Sequence, residues 1–273
     1  MGKIADAIDA AVLAEHGEDL RSHMGYSSIG DECGRKLWYG FRWVASPAFK
    51  PTTLRLFERG HLEENRFVRW LKLANVTVFQ NDPETGKQYR FKGYKGHGGG
   101  EIDGVGVGVI SDTPYLLEFK THNDKSYKDL AANGVEMSKP MHFVQMQMYM
   151  GQYQLLQALY LAINKNTDEI YDELVMFDAT VYAKYKARLA TLVDAPEPPP
   201  RLSNNPSWFE CKWCDFHAVC HLKAEPLKNC RTCAHSTPVE DGQWYCEKPA
   251  HFQHIPIEMV KTGCTAYHRH PME

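Results

Sequence analysis

The 273-residue sequence lacks every feature that would place it outside the globular class. No apolar run approaches the roughly 18 residues that a membrane-spanning helix needs. Glycine and proline, at 20 and 15 residues, stay near average usage, which excludes a collagenous, low-complexity or disordered chain. Positive charge is not in excess: 31 Lys and Arg against 34 Asp and Glu leave a net charge of −3, so any surface for nucleic acid has to be local. An export signal is also missing, because Lys3, Asp6, Asp9 and Glu15 interrupt a stretch that would have to be continuously apolar. Ile4, Ile8 and Val12 recur every four residues there, the pattern of an amphipathic helix. A cytoplasmic protein with no membrane association is expected.

Cysteine, in contrast, is plentiful and unevenly placed. Seven of the eight lie after residue 210, and Cys33 stands alone upstream. In a reducing compartment, clustered C-x2-C pairs are metal ligands more often than disulfides, since two thiolates reach one ion across a tight turn. The cysteines divide into two sets of four. Cys211, Cys214 and Cys220 form C-x2-C-x5-C and lack a fourth ligand, which Cys33 would supply. Cys230, Cys233, Cys246 and Cys264 suit a structural zinc site, in which His235, His251 or His254 could replace one cysteine. Zinc and iron–sulfur clusters both accept four thiolates, so spacing leaves the metal of the first set open. The cysteine-rich end has little apolar content and is expected to need its metals to fold.

Upstream, the pattern alternates helix and strand. Residues 52–73 read as a helix, 76–80 and 88–92 as short strands around a turn at 83–86, and 102–110 as a Val/Gly-rich strand. A turn at 111–114 leads to a return strand at 115–120. Residues 141–164 read as one long helix, 170–177 as a strand and 181–193 as a helix. Residues 196–201, rich in proline, read as an extended linker. The expectation is an α/β core of about 200 residues followed by a small cysteine module.

The most informative segment joins Asp103 to Glu118 and Lys120. Glu118 and Lys120 are one residue apart on a strand and so share a face, and the hairpin returns that strand alongside Asp103. Such a set suits metal-assisted phosphodiester hydrolysis: carboxylates hold Mg²⁺ or Mn²⁺, and the lysine positions a water and stabilises charge at phosphorus. An ordinary surface ion pair would have the same E-x-K pattern. Two features favour the site. Glu63 and Glu64 offer a helical acid, and His142, Gln145, Tyr149 and Gln152 fall on one helical face. Gln147 lies on the opposite side, and Met141, Met146, Met148 and Met150 read as core filling.

Together these residues resemble the PD-(D/E)XK nuclease superfamily, and most of all its RecB-like iron–sulfur branch, which includes the nuclease module of AddB and the CRISPR-associated adaptation nucleases. The resemblance spans residues 25–222. It implies a restriction-endonuclease-like core, a central mixed sheet flanked by helices, with Glu64, Asp103, Glu118, Lys120, Gln145 and Tyr149 as catalytic residues. The first three would hold Mg²⁺ or Mn²⁺. Gly60 with Glu64 and Asn65 also looks like the matching helix of phage lambda-type exonucleases, which favours Glu64 over Glu63. Many relatives carry histidine at that helix position, and His61 lies one turn away. The resemblance further implies a [4Fe–4S] cluster on Cys33, Cys211, Cys214 and Cys220, acting as a staple.

The implied organisation is a nuclease domain at 1–222 and a zinc-binding tail at 223–273 on Cys230, Cys233, Cys246 and Cys264. The tail lies outside the resemblance. Its Arg231, Trp244, Tyr245, Tyr267 and Arg269 could stack on or pair with nucleic acid, but a zinc-stapled cap with solvated charges is favoured. Lys120, Lys125, Lys128 and Lys139 form a sparse candidate phosphate track. The expected activity is that of a metal-dependent DNA exonuclease, phage-encoded or bacterial, with DNA as partner and an annealing protein or helicase beside it. An endonuclease of the same superfamily and a non-catalytic DNA-binding module are the alternatives.

Overall fold

The computed structural model describes residues 2–16, 20–248 and 254–272. His251, the alternative zinc ligand named above, lies outside the described residues. In chain order the elements are α1 (Lys3–His16), β1 (Met24–Gly25), α2 (Gly34–Phe41), α3 (Pro51–Leu73), β2 (Thr77–Phe79), β3 (Arg90–Gly93), β4 (Gly98–Glu101), β5 (Gly104–Gly108) and β6 (Ser111–His122). There follow α4 (Asp124–Ser138), α5 (Pro140–Tyr153), β7 (Gln157–Asn164), β8 (Ile170–Met176) and α6 (Ala179–Asp194). The last are α7 (Phe209–Lys212), α8 (His217–Leu222), β9 (Ser236–Pro238), β10 (Trp244–Cys246) and α9 (Ile257–Thr262). No helix among the described residues is long and apolar enough to cross a membrane.

The described residues form two compact units interleaved in sequence: 1–16, 49–91 and 100–185 in the first, 17–48, 92–99 and 186–273 in the second. The first unit carries a five-stranded mixed sheet in the order β2-β5-β6-β7-β8. Its pairs are antiparallel except β6 with β7, which run parallel. A parallel pair cannot be joined by a tight turn, so the chain makes a crossover, and α4 and α5 are that crossover. The period-2 alternation of β6 then sorts its side chains. Tyr115, Leu117 and Phe119 pack with Phe67 and Val68 of α3 and with Leu159, Leu161 and Ile163 of β7. Phe67 stacks on Phe119 at 5.0 Å between ring centroids. Leu116, Glu118 and Lys120 point to the other face.

Three expectations fail here. The single helix over 141–164 is instead α5, a left-handed residue at Gln154 (φ 56°), and β7. No glycine or proline marks that break, and every residue of β7 is buried, so its apolar run has neither helical nor alternating period. The hairpin turn lies at Val109 (φ 62°) and Ile110, just before 111–114, where β6 has already begun. Met141 is exposed at 37%, while Met146, Met148 and Met150 are fully buried. Helix α4 carried too little apolar signal to be read, with only Leu130 and Val135 buried; Asn123 caps it, its Oδ1 accepting from the Ser126 amide at 2.9 Å.

The second unit has little regular structure. β1 lies parallel to β4 through Met24 and Gly25 against Gly98 and Gly99, and β9 and β10 form a short hairpin. Its core gathers Trp38, Tyr39, Val44, Phe216, Val219 and Met272. Residues 196–201 carry no helix or strand but are tied in place: Arg35 Nε donates to the Pro199 carbonyl at 2.6 Å, and Arg201 Nε to that of Cys220 at 3.0 Å.

Candidate active site and cysteine clusters

The hairpin register sets the site. Gly104 pairs with Leu117 and Val105 with Leu116, so one step further Asp103 stands across from Glu118. Asp103 Oδ2 accepts the Phe119 backbone N–H at 2.7 Å, which pins the carboxylate beside β6. Gly104 makes this possible: its φ of 152° is closed to other residues, and a Cβ there would meet the Phe79 carbonyl at 2.9 Å. On β6 itself, Lys120 Nζ donates to Glu118 Oε1; Glu118 is 1% exposed and Lys120 24%.

Glu64 joins this group electrostatically. Burial pushes its pKa up to about 7, and the Asp103 charge adds to the shift while Lys120 opposes it. Glu118 is likewise pushed up to about 7, first by burial, with Lys120 opposing and Asp103 and Glu64 adding to it. Burial raises Asp103 as well, against the pull of Lys120. Burial works against the Lys120 ammonium, but Glu118, Asp103 and Glu64 outweigh it and keep it charged. Three carboxyl groups thus share one cation and are short of positive charge, the condition a divalent cation would relieve. Among the described residues no three His, Cys, Asp or Glu side chains are grouped tightly enough to hold an ion as they stand.

Helix α5 contributes the far wall. Burial raises the Tyr149 pKa, and the charges of Glu118 and Asp103 raise it further, which places its phenol near both. A Cβ on Gly100 would run into the Tyr149 hydroxyl, so only glycine fits there. Gln145 sits one turn earlier on the same face, 7% exposed. Gln147, on the opposite side as expected, is a strut: its Nε2 donates to the Met176 carbonyl at 2.9 Å and its Oε1 accepts from the Asp178 amide at 2.7 Å.

The choice between the two helical acids is explained by their surroundings. Glu63 is buried and held by Arg66, whose Nη1 reaches both oxygens at 2.8 and 2.7 Å. Glu64 is the one that feels Asp103 and Lys120. His61 also bears on the site, lowering the Asp103 pKa. The lysine track is largely engaged elsewhere: Lys128 pairs with Asp124 at 2.7 Å and Lys139 with Asp129 at 3.2 Å.

One buried network escaped the sequence reading. The Tyr160 hydroxyl bonds both His122 Nε2 and His142 Nδ1 at 2.9 Å, and His122 Nδ1 meets Ser126 Oγ at 3.2 Å. Burial, with Lys139 and Lys120 adding to it, lowers His122 to about 4. Burial and then Lys120 lower His142 to about 3. Both rings are neutral at pH 7. Tyr160 was hidden because its segment read as helix; in β7 it stands beside Glu118.

The cysteines lie in the second unit. Cys33 caps α2, its Sγ accepting from the Lys36 amide at 3.4 Å. Burial raises the Cys211 thiol pKa, and Cys220 and Cys33 add to it; burial raises Cys214, and Cys33 adds to that. These mutual effects link the four expected cluster ligands electrostatically. Cys230, Cys233, Cys246 and Cys264 together line one small cavity. The tail residues offered for nucleic acid divide. Arg231 and Trp244 are 1% exposed and cannot stack on a base, and the charge of Arg231 is not solvated. Arg269 pairs with Glu225 at 2.7 Å, and the Tyr267 hydroxyl donates to Thr232 Oγ1 at 3.2 Å.

No family model and no curated protein matches the sequence. Solved structures do match in fold. That of SSO0001 is 15% identical, covers 82% of this chain and 98% of its own, and superposes with a TM-score of 0.50. LHK-Exo in complex with dAMP is 15% identical over 68% of this chain and 90% of that one, with a TM-score of 0.47. The alkaline exonuclease LHK-Exo from Laribacter hongkongensis is 16% identical over the same shares, with a TM-score of 0.44. The chain shares with SSO0001 a mixed α/β fold.

Proposed function

We propose that this chain is a divalent-metal-dependent DNA exonuclease of the PD-(D/E)XK type. The observation that carries the reading is the convergence of Asp103, Glu118, Lys120 and Glu64, from three separate segments, around a deficit of positive charge. Glu64, Asp103 and Glu118 would hold Mg²⁺ or Mn²⁺, their oxygen donors suiting a hard cation. When bound, such an ion polarises the scissile phosphate and acidifies a nearby water. Lys120, kept protonated by its acidic neighbours, orients that water and offsets the charge that builds on the phosphate oxygens. Tyr149 and Gln145 position the phosphate from the helix side.

A [4Fe–4S] cluster on Cys33, Cys211, Cys214 and Cys220 is part of the same proposal. The all-sulfur donor set and the electrostatic link among the four fit it. It would close the long loop between residues 33 and 220 and act structurally. The reading extends to a bacterial or phage cytoplasm and to recombination, repair or replication as the setting.

The test uses end-labelled linear DNA and covalently closed circular DNA with Mg²⁺, Mn²⁺ or a chelator. Loss of linear DNA alone, stopped by the chelator, is the expected result. Cutting of the circle would convert the reading to an endonuclease. Binding without cutting of either substrate would convert it to a DNA-binding module.

A further inference from the structure

The hydrogen-bond network around Tyr160 takes no part in the chemistry proposed above. Glu118, Lys120 and His122 follow one another on one face of β6. Tyr160 pairs with Glu118 in the parallel ladder and so shares that face. Its backbone stands level with Glu118, yet its hydroxyl meets His122 Nε2 at 2.9 Å, four residues further along β6. The phenol ring therefore crosses the level of Lys120. Tyr160 is fully buried and His122 nearly so. From α5, His142 brings Nδ1 to the same hydroxyl at 2.9 Å, and its ring stacks at 5.9 Å on those of His122 and Tyr160. Ser126, in the first turn of α4, reaches His122 Nδ1 at 3.2 Å. One hydroxyl thus ties β6, β7 and α5 together, and α4 through His122.

A phenol carries one proton, so Tyr160 donates to one ring and accepts from the other. Both bonds are made only while both rings keep their places, and a buried network left half-made is costly. The rest of the helix supplies little direction of this kind. Met146, Met148 and Met150 of α5 are fully buried, but methionine adapts to its surroundings and apolar contact is non-directional. Gln147 ties α5 to the end of β8 through the Met176 carbonyl and the Asp178 amide. His142 ties its other side to β6 and β7. From His142, Gln145 lies about 4.5 Å and Tyr149 about 10 Å along the helix axis. Lys120 lies about 7 Å before His122 on β6. The network therefore stands next to both walls of the candidate site.

We propose that His122, Tyr160 and His142 are positioning residues: they lock α5 at one setting on the sheet and so hold Gln145 and Tyr149 at a fixed distance from Glu118 and Lys120. The consequence for cleavage rests on the nuclease reading, whereas the lock itself does not. A shift of about 1 Å in a positioning group costs about a hundredfold in rate. None of the three side chains is assigned a contact with substrate, so their loss falls on kcat rather than on KM.

The test uses the full-length protein with three substitutions. Tyr160→Phe keeps the ring and removes the hydroxyl. His142→Leu removes the ring nitrogen, and His142→Asn puts an amide where Nδ1 stood. The first readout is the NMR signal of Tyr149 in protein whose tyrosines carry carbon-13 at Cζ, identified by its absence from Tyr149→Phe. It should move in Tyr160→Phe and His142→Leu and return in His142→Asn. The second is steady-state cleavage of end-labelled linear DNA in Mg²⁺, well below the melting temperature. Tyr160→Phe and His142→Leu should lower kcat by about a hundredfold with KM within about threefold, and His142→Asn should recover most of kcat. Should Tyr160→Phe fail to fold, the contrast between His142→Leu and His142→Asn carries the test, because His142 is only half-buried. An unmoved Tyr149 signal in the folded variants would overturn the lock. A moved signal with natural kcat would overturn its part in cleavage. A natural protein that cuts no DNA, with the Tyr149 signal moving as described, would uphold the lock and overturn the nuclease reading instead.

Discussion

The two units bury charge in opposite ways. In the first, Glu64, Asp103 and Glu118 crowd around one lysine, an excess of negative charge set on a well-packed sheet. In the second, Arg42 and Arg231 sit among neutral acceptors, an excess of positive charge in a region with little regular structure. The first imbalance is the one that the proposed divalent cation would relieve. The difference lies in what the rest of the unit does. The first unit has a sheet and an aromatic core that do not depend on the acids. The second has a few short elements and eight thiols, and the metals proposed for those thiols would help to hold it together. Charge crowding on a stable scaffold reads as function, and charge crowding in a weak scaffold reads as structure.

The largest effect that would break this contrast is on catalysis. Lys120→Ala should lower DNA cleavage by about a thousandfold and, by leaving Glu118 without its cation, lower the melting temperature by about 5 °C while the first unit still folds. Cys246→Ser should do the reverse in kind, with a drop of about 10 °C or more in the melting of the second unit, followed by calorimetry. A Lys120 variant that unfolds, or a Cys246 variant as stable as the natural protein, would erase the distinction.

Packing around Tyr149 gives the next largest effect. Gly100→Ala puts a methyl group against the Tyr149 hydroxyl. Displacing that helix-borne group should cost about a hundredfold in cleavage rate. Adding Tyr149→Phe to the same chain should recover melting temperature without recovering rate, which steady-state kinetics and a thermal melt together would show.

Much of the first unit was legible in the sequence. Glu118 and Lys120 share a face because strand period is strict, and α3 was visible from its apolar spacing. Register was not legible, since nothing in the sequence says that Gly104 meets Leu117; the placement of Asp103 against Phe119 is a tertiary fact. The α5–β7 break was hidden because an apolar run buried on both faces has the same composition in either conformation. That error concealed Tyr160, and with it the network joining His122 and His142. In the second unit the cysteines were legible and the arginines were not. Arg231 reads as a solvated charge until its partners are seen.

Acid should weaken the second unit, while in the first the same histidine effect is opposed by Glu64 and Glu118, whose raised pKa values favour the folded state as pH falls from about 7. His122 and His142 in the first, and His97 and His270 in the second, have pKa values pushed well below the usual 6.5, to about 3 or 4, chiefly by burial. They stay neutral when folded and take up a proton when unfolded. Each of these histidines therefore contributes a loss of stability as pH falls from about 6.5 towards 4. His142→Gln should remove part of that loss from the first unit alone, measured as melting temperature against pH; an unchanged slope would contradict it.

The smallest effect is at the surface. Glu225→Gln removes the exposed partner of Arg269 and should change stability by less than about 0.5 kcal/mol in denaturant unfolding. A larger loss would mean that the second unit leans on ion pairs as well as on its thiols.

The most direct test of the central claim is Glu64→Gln, assayed for cleavage and for thermal stability in the same sample. Replacing one of three crowded acids with a neutral isostere leaves the sheet intact and lessens the repulsion. In metal-free buffer at pH 8 the expected melting temperature is higher by about 2 °C, and cleavage of end-labelled linear DNA in Mg²⁺ is lower by about a hundredfold or more. A variant that melts lower and still cuts at the natural rate would show that these acids are structural and that the chemistry, if any, lies elsewhere.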